Sequence, residues 1–273
     1  MVEIIDHTNI FNLFKIINNN NNNDLDFKII HFNNKNIYKL YGSNYLIKYN
    51  LNNNIELPNL VLLSGFSNKS IINSSKIILK NINKIKDKYQ AFYIFAYDEN
   101  FFKKFQKDAC DIRDEQKIIH KSFNKIYNSE IKLNETLAIL IDKCLRSPDL
   151  NLTNVHLLGK CAGGGLAIHT ITKSNIYTAL FLAVPASPLN VLHLKKLNDL
   201  QKNNIKFIFV WDKNDDYPFD WNKKSNEEKQ FYDKTMKKLK IINYESYIFD
   251  EEPKNISEKY QYHEISNSLF DKI

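Results

Sequence analysis

A cluster of glycines around one cysteine constrains the fold of this 273-residue chain more than any other feature. An apolar run at 155–158 leads into Gly159-Lys160-Cys161-Ala162-Gly163-Gly164, and a longer apolar run at 166–171 follows it. A short apolar run, a glycine cluster and a second apolar run predict a strand, a sharp turn and a helix. Glycine lacks a Cβ, so such a turn can hold a strained backbone and let other chain segments approach closely.

The cysteine at the apex of this turn has the features of a catalytic nucleophile. A strained apex tolerates only small residues two positions before it and two and three positions after it, and Gly159, Gly163 and Gly164 occupy those positions. The turn is expected to raise the Cys161 sulfur above the sheet at the N-terminus of the next helix, where the helix dipole favours a thiolate. The pattern predicts a nucleophile elbow with cysteine in place of serine.

Other interpretations of the glycine cluster fit less well. A phosphate loop needs a glycine well before the lysine and Ser or Thr directly after it, but Asn154 and Cys161 stand there. A dinucleotide-binding turn needs a third glycine where this chain has Ile168. A buried structural cysteine is the remaining alternative, because free cysteine is often buried.

The rest of the chain predicts an α/β domain. Residues 1–26 are predicted to form a short helix and an asparagine-rich linker, and residues 27–273 a single domain with an insertion at about 99–131. Extended segments at 27–32 and 37–49, with a turn at Gly42-Ser43, predict an N-terminal antiparallel hairpin or a pair of edge strands. Beyond them, apolar strands alternate with helices, which predicts a mostly parallel, doubly wound sheet with helices on both faces. The predicted strands are 60–63, 91–96, 155–158, 179–184, 205–211 and 244–249, and the predicted helices are 71–87, 134–146, 189–202, 222–239 and 263–272.

A nucleophile needs a base and a group that orients the base, and in an elbow fold the acid precedes the histidine in the chain. Asp215 lies a few residues past the predicted strand 205–211, with Asp212 and Asp216 as alternatives. His263 follows the last predicted strand and is the only histidine after His193. The order predicts Asp215 as the orienting acid and His263 as the base.

The developing oxyanion needs two backbone N–H donors. The residue after the nucleophile, Ala162, is expected to supply one donor. The loop after an earlier strand supplies the other in this arrangement, and the Ser64-Gly65-Phe66 segment follows the apolar run at 60–63. Phe66 is therefore the predicted second donor.

In these motifs, over about residues 35–273, the chain resembles the α/β-hydrolase superfamily. The cysteine elbow with its glycines is similar to that of the dienelactone hydrolases, and also to that of the polyhydroxyalkanoate synthases, for which this chain is short. The resemblance implies a hydrolase for a small ester, lactone or thioester that works through a Cys-His-Asp triad and an acyl-cysteine intermediate, without cofactor or metal. An acyltransferase of the same fold and an inactive binding protein of that fold remain the alternatives.

Composition bears on partners and compartment. The net charge is +7, but lysine is enriched together with asparagine and isoleucine, the residues of AT-rich codons, and no arginine-rich run accompanies it. Nucleic acid is therefore not expected as a partner. The expected partner is a small-molecule acyl substrate. Three scattered cysteines predict neither disulfides nor a zinc site. With no apolar run of membrane-spanning length, these features predict a cytoplasmic protein.

Overall fold

The structure is a computed structural model, and some of the segments discussed above lie outside the residues it describes. Those outside include the predicted N-terminal helix and linker and, apart from Ile131, the predicted insertion, so the domain division stays a prediction. The described residues are 29–32, 35–39, 45–65, 68–96, 131, 134–148, 150–183, 193–200, 205–215, 225–251 and 264–273.

Nine strands form one sheet in the order β1-β2-β3-β5-β4-β6-β7-β8-β9. The pairs β1–β2, β2–β3 and β3–β5 are antiparallel. All the other neighbouring pairs of the sheet, from β5–β4 to β8–β9, are parallel. The strands are β1 Ile29–Phe32, β2 Lys35–Lys39, β3 Tyr45–Asn50, β4 Asn59–Leu63, β5 Ala91–Ala96, β6 Val155–Lys160, β7 Tyr177–Ala183, β8 Lys206–Asp212 and β9 Tyr244–Phe249. This confirms the predicted fold class.

The N-terminal antiparallel part is larger than the predicted hairpin. The segment predicted to be extended over 37–49 contributes two strands, β2 and β3, so three strands run antiparallel before the parallel sheet begins. In β3, Leu46 and Ile47 are buried while Asn50 is exposed. The third strand pairs with β5 and thereby attaches the antiparallel part to the central sheet.

Most helices lie close to their predicted positions, with three differences. The described part of the predicted helix 189–202 contains the short 3₁₀ helix Lys195–Asp199. The predicted helix at 71–87 divides at Asn81, whose side-chain Nδ2 donates to the carbonyl of Ile77 at 2.9 Å and to Asn267 Oδ1 at 2.8 Å. Such side-chain bonds compete with the helical ladder. The predicted C-terminal helix is only a short 3₁₀ turn. The helices are α1 Asn68–Lys80, α2 Ile82–Ile85, α3 over residues 134–145, α4 Ala162–Ile171 and α5 Ser225–Lys238, with 3₁₀ helices at Lys195–Asp199 and Asn267–Asp271.

The central strands are covered on both faces. Successive residues of a strand point to opposite faces, and Leu60 through Leu63 of β4 are all fully buried. Strands buried in this way read as continuous apolar runs, which is why they were predictable. No helix in the described part of the chain is long and apolar enough to cross a membrane.

The strand order reverses at β4, so a ligand site is expected beyond the carboxyl ends of β4 and β6. The chain passes from β4 to β5 on one side and later enters β6 on the other side of β4. In parallel α/β sheets, ligands bind beyond the carboxyl ends of the strands at such a reversal of strand order. The residues that directly follow β4 and β6 are Ser64-Gly65 and Cys161.

Candidate active site

Cys161 stands at a strained turn between β6 and α4. Its backbone has φ 55° and ψ −128°, a conformation that side-chain-bearing residues rarely adopt. The Cys161 amide donates to the carbonyl of Ala183 at 3.3 Å, and its own carbonyl accepts from the Gly164 amide at 2.9 Å. Backbone strain of this kind costs about 1–3 kcal/mol and persists where the surrounding structure enforces it.

Two of the glycines around Cys161 are required by steric contact. A Cβ at Gly163 would lie 2.0 Å from the carbonyl oxygen of Leu63 and 2.5 Å from that of Ser64. A Cβ at Gly159 would lie 2.8 Å from the Cα of Gly164. These neighbours are backbone atoms that cannot move aside. The end of β4 and the start of α4 therefore press against the turn from both sides.

The exposure of the cysteines differs. Cys144 on α3 is completely buried, whereas Cys161 is partly exposed. The alternative of a buried structural cysteine therefore describes Cys144 and not Cys161. Cys110 lies outside the residues the structure describes.

The end of β4 lies beside the cysteine. A Cβ at Gly65 would stand 3.5 Å from the Cβ of Cys161, so the backbone at Gly65 passes next to the apex. Phe66, the next residue and predicted oxyanion donor, lies outside the described segments. Ala162, the other predicted donor, is the first residue of α4. The first amides of a helix have no acceptor within the helix, so the Ala162 N–H is available in principle to an oxyanion.

The turn after β8 separates the roles of two predicted carboxylates. Asp212 is buried, and its Oδ1 accepts from the Asn214 amide at 2.9 Å while its carbonyl accepts from Ser225 Oγ at 2.6 Å. Asp215 is half-buried at the end of this turn, with its amide 3.3 Å from the Asp212 carbonyl. Asp212 thus shapes the turn that carries Asp215. Asp216 lies outside the described residues.

His263, the predicted base, also lies outside the described residues, but both flanking segments are described. Glu251, just after β9, accepts from the amides of Asn267 at 3.0 Å and Ser268 at 2.9 Å and from the Ser266 hydroxyl. Burial by itself would raise the pKa of Glu251, but these hydrogen bonds outweigh it and hold the pKa at about 2. Glu251 therefore ties the start of the segment 252–263 to the residues that follow it.

The sequence analysis missed a buried ion pair between the elbow and the C-terminal segment. Lys160 Nζ lies 3.1 Å from Glu264 Oε1, and the two side chains are only 4% and 2% exposed. Lys160 directly precedes Cys161, and Glu264 directly follows His263. The available signal was a lysine at the end of an apolar strand, which the sequence analysis considered only as a phosphate ligand.

The histidines on the elbow strand and helix belong to the protein core. His156 Nδ1 lies 3.0 Å from the Tyr89 hydroxyl, and burial together with the charge of Lys206 lowers its pKa to about 4. His169 Nε2 lies 2.8 Å from His193 Nδ1, and burial, followed by the charge of His193, lowers its pKa to about 3. Among the residues with described positions, no group of three or more His, Cys, Asp or Glu could hold a metal ion.

Comparison with known proteins supports the fold at the level of structure. No protein-family model and no curated protein matches the chain. A cold-adapted esterase from an Arctic intertidal metagenomic library, solved with zinc bound, superimposes with a TM-score of 0.52 at 6% identity, covering 90% of this chain and 97% of that one.

Two further solved structures align with lower scores. An α/β-hydrolase enzyme from the metagenome of Mar Chica lagoon sediments in Morocco has a TM-score of 0.42 and 16% identity, over 78% of this chain and 87% of its own. A dienelactone hydrolase-like promiscuous phosphotriesterase from metagenomic libraries has a TM-score of 0.41 and 10% identity, over 83% and 81%. The superposition on the cold-adapted esterase and the sheet described above support the predicted α/β-hydrolase type of fold.

Proposed function

We propose that this protein is a hydrolase that acts on a small ester, lactone or thioester with Cys161 as its nucleophile. The observation that carries the proposal is the backbone of Cys161, at φ 55° and ψ −128° between β6 and α4. A partly exposed cysteine held in this strained conformation, at the carboxyl edge where the strand order reverses, is in the place where an elbow nucleophile acts.

The strain itself argues for a functional role. If Cys161 had no functional role, glycine could replace it at little cost, because glycine adopts the same backbone angles without strain. The chain instead has glycines at the two neighbouring positions, 159 and 163, where a Cβ would collide with backbone. A steric environment that enforces one residue's strain is typical of catalytic sites.

The proposed chemistry proceeds in two steps. In acylation, the Cys161 sulfur attacks the acyl carbonyl and forms a C–S bond, while protonated His263 donates its proton to the leaving alkoxide or thiolate. In deacylation, neutral His263 takes a proton from water and the hydroxide attacks the acyl-cysteine. The bond between the acyl carbon and the Cys161 sulfur then breaks, which releases the acid and restores the thiolate beside protonated His263. Asp215 orients His263, and the N–H groups of Phe66 and Ala162 stabilise the oxyanion of each tetrahedral intermediate.

A panel of chromogenic esters and thioesters of increasing acyl length tests the proposal. We expect the wild-type protein to hydrolyse at least one of them, and Cys161→Ala to lose that turnover. Cys144→Ala is the matched control, because it removes a thiol that is fully buried in α3. Equal turnover by wild type and Cys161→Ala would contradict the proposal, and no turnover of any substrate by the wild-type protein would favour an inactive binding protein. Acyl transfer to an added alcohol or amine at the expense of hydrolysis would identify an acyltransferase.

Alkylation gives a second test that needs no substrate. We expect iodoacetamide to modify Cys161 faster than Cys144 or Cys110 near neutral pH, because the N-terminus of α4 and a neighbouring imidazole stabilise its thiolate. Peptide mapping by mass spectrometry of the briefly labelled native protein measures this. Preferential labelling of either other cysteine would count against a reactive elbow.

A further inference from the structure

The buried pair Lys160–Glu264 joins the two parts of the candidate site. The separation of Lys160 Nζ and Glu264 Oε1 is 3.1 Å, with both side chains almost fully buried. Lys160 is the last residue of β6 and immediately precedes the nucleophile. Glu264 immediately follows the predicted base in the sequence. Each partner is thus the chain neighbour of one predicted catalytic residue.

The same lysine also contacts the segment after β4. Lys160 Nζ donates to Ser70 Oγ at 3.2 Å, and Ser70 Oγ is 3.0 Å from Ser64 Oγ. Ser64 in turn lies 3.0 Å from Ser74 Oγ. We call Ser64, Ser70, Ser74, Lys160 and Glu264 the Lys160 network. It connects the end of β4, where the oxyanion donor is predicted, to the elbow and to the C-terminal segment.

Fold stability alone does not account for this arrangement. Burying two charges costs as much as their attraction returns, and an apolar pair of similar size often serves stability equally well. In addition, Glu264 Oε2 is buried and makes no hydrogen bond within the described residues. An incompletely satisfied buried carboxylate is unfavourable and calls for an explanation in terms of function.

The other buried carboxylate of the ion pairs provides a contrast. Asp142 on α3 accepts from Arg146 Nη2 at 2.8 Å, Ser174 Oγ at 2.5 Å and the Tyr177 hydroxyl at 2.9 Å. Tyr177 is the first residue of β7, so this carboxylate lies at the amino ends of the parallel strands. The candidate site lies at their carboxyl ends. The fully hydrogen-bonded carboxylate, Asp142, therefore lies at the amino ends of the strands. The incompletely hydrogen-bonded one, Glu264, lies at the carboxyl ends, beside the candidate site.

From this contrast we infer that Lys160 and Glu264 are positioning residues: their ion pair fixes the chain at Glu264 beside the elbow. The base that the proposed function assigns to the preceding residue, His263, depends on that attachment to act on the Cys161 thiol. The inference rests on the proposed function, since it assumes that Cys161 and His263 act together as nucleophile and base. Its consequence is that the thiolate of Cys161 depends on a pair of side chains that does not touch the substrate. A thiolate loses stabilisation as the imidazolium moves away from it.

The test measures the rate of Cys161 alkylation by iodoacetamide from pH 5 to 10 in the full-length protein. The variants are the double replacement Lys160→Met with Glu264→Leu, the conservative Glu264→Gln, and His263→Ala as the reference for a lost base. We expect the double variant to react about tenfold more slowly at pH 7, as a one-unit rise in thiol pKa would give, and to approach His263→Ala. Glu264→Gln keeps an acceptor for Lys160 and should shift the profile less.

Asp142→Asn is the matched control. It weakens an ion pair whose carboxylate is also buried, although its Arg146 partner is 48% exposed, at the opposite ends of the strands. It should therefore lower the melting temperature while leaving the alkylation profile at the wild-type position. A loss of reactivity in Asp142→Asn equal to that of the double variant would overturn the inference, because general destabilisation would then explain both. The apolar double replacement guards against misfolding, and circular dichroism confirms that each variant is folded.

The outcomes separate the inference from the proposed function. If the folded double variant keeps the wild-type profile while His263→Ala shifts it, the positioning role is wrong and the proposed triad stands. If His263→Ala also keeps the wild-type profile, the base assignment is wrong, and the positioning role fails with it. A shift in both variants, absent from Asp142→Asn, supports the inference.

Discussion

The elbow and the C-terminal segment of the candidate site are held in place by different physical means. At the elbow the constraint is steric, because a single added Cβ at Gly163 would lie 2.0 Å from the carbonyl oxygen of Leu63. At the C-terminal segment the contacts beside the candidate site are polar, from Lys160 to Glu264 and from the amide of Ser268 to Glu251. The apolar residues of this segment, Ile265, Leu269 and Phe270, are buried in the core. At the elbow, side chains larger than glycine are excluded because they would collide with backbone atoms. At the C-terminal segment, an ion pair and hydrogen bonds make the contacts beside the site.

This difference teaches where each part of the site should be sensitive. Steric constraint at backbone atoms does not depend on pH or salt and leaves no room for substitution. Polar attachment depends on protonation and on both partners being present. The nucleophile side should therefore fail abruptly when altered, and the base side should respond in a graded way.

The largest effect is expected from Gly163→Ala. The added methyl group would meet the carbonyl oxygens of Leu63 and Ser64 at 2.0 and 2.5 Å, and these belong to a buried strand end that cannot shift. Overpacking against flexible neighbours costs about 1–3 kcal/mol, so against backbone we expect a larger loss or failure to fold. Urea unfolding and the yield of soluble protein measure the effect.

Gly65→Ala is the matched control for that change. Its methyl group would first meet Ser70 Oγ, the end of a side chain, at 3.0 Å and then Cys161 Cβ at 3.5 Å. We expect a folded protein with a modest loss of stability and reduced turnover, since the new group borders the nucleophile. Equal stability of the two variants would contradict the view that the elbow is fixed by backbone collision.

The acid of the proposed triad should show the next largest effect, on turnover. We expect Asp215→Asn to lower kcat by about 10²- to 10⁴-fold by analogy with serine triads. The loss should lie towards the small end of that range, because a thiolate needs less help from a base. His263→Ala should cost more, because histidine also protonates the leaving group. Steady-state kinetics with the best ester of the panel measure both.

Asp212→Asn is the control for that prediction. Asparagine keeps an Oδ1 acceptor for the Asn214 amide, so the turn after β8 should persist and turnover should stay near wild type. Asp216→Asn should also be nearly silent. If Asp212→Asn abolished activity while Asp215→Asn did not, the orienting acid would be Asp212 and the assignment made from the order of the chain would be wrong.

The same division between steric and polar constraint explains what the sequence could predict. Gly159 and Gly163 are close to Cys161 in the chain, so the spacing of the glycines disclosed the elbow. The buried strands were visible as apolar runs for a similar reason. Lys160 and Glu264 are far apart in the chain, and no local pattern indicates that a lysine and a glutamate will meet in the interior.

The antiparallel part illustrates a second limit of prediction. The turn at Gly42-Ser43 was visible in the sequence, but a third antiparallel strand was not expected, because β3 pairs with β5, which lies beyond β4 in the chain. Likewise, the C-terminal turn is 3₁₀ and short, with Ser266 Oγ accepting from the Ser268 amide at its start. Tertiary contacts of these kinds override local helical or strand preference.

Loss of one partner of the buried ion pair should have an intermediate effect, on stability. Lys160→Met leaves the Glu264 carboxylate buried without its cation, and we expect a loss of about 3–5 kcal/mol in the free energy of unfolding. Replacing Glu264 by Leu in the same protein should recover most of that loss. Chemical unfolding of the single and double variants measures the coupling between the two sites.

An exposed ion pair serves as the control for this cycle. Lys84 and Asp271 lie 2.8 Å apart with side chains 41% and 58% exposed, so Lys84→Met should cost only about 0–1 kcal/mol. If Lys160→Met cost no more than Lys84→Met, the Glu264 carboxylate would have found water or another donor, and the polar attachment of the C-terminal segment would be weak.

The smallest effect is expected at Glu251 and appears as a dependence on pH. Its pKa is held at about 2, below the 4.5 of an unperturbed glutamate, despite the opposing effect of burial, because Ser266, Ser268 and Asn267 donate to the carboxylate. A carboxyl group with a lowered folded-state pKa contributes stability that is fully present above pH about 4.5 and is lost as pH falls towards about 2. We therefore expect Glu251→Gln to melt at a lower temperature than wild type at pH 6.

The pH dependence of that difference separates charge from shape. As pH falls from about 5 to about 2.5, wild type and Glu251→Gln should converge in melting temperature, because protonation removes from wild type what the substitution has already removed. The acid sensitivity of the partly buried His156 and the buried His169 is common to both proteins and cancels in the difference. Glu56→Gln, the same change in an exposed turn, is the control and should match wild type at every pH. A melting-temperature difference between wild type and Glu251→Gln that stayed constant with pH would show that the shape of this side chain, and not its charge, holds the C-terminal segment. The charged contact that distinguishes this segment from the elbow would then be the Lys160–Glu264 pair.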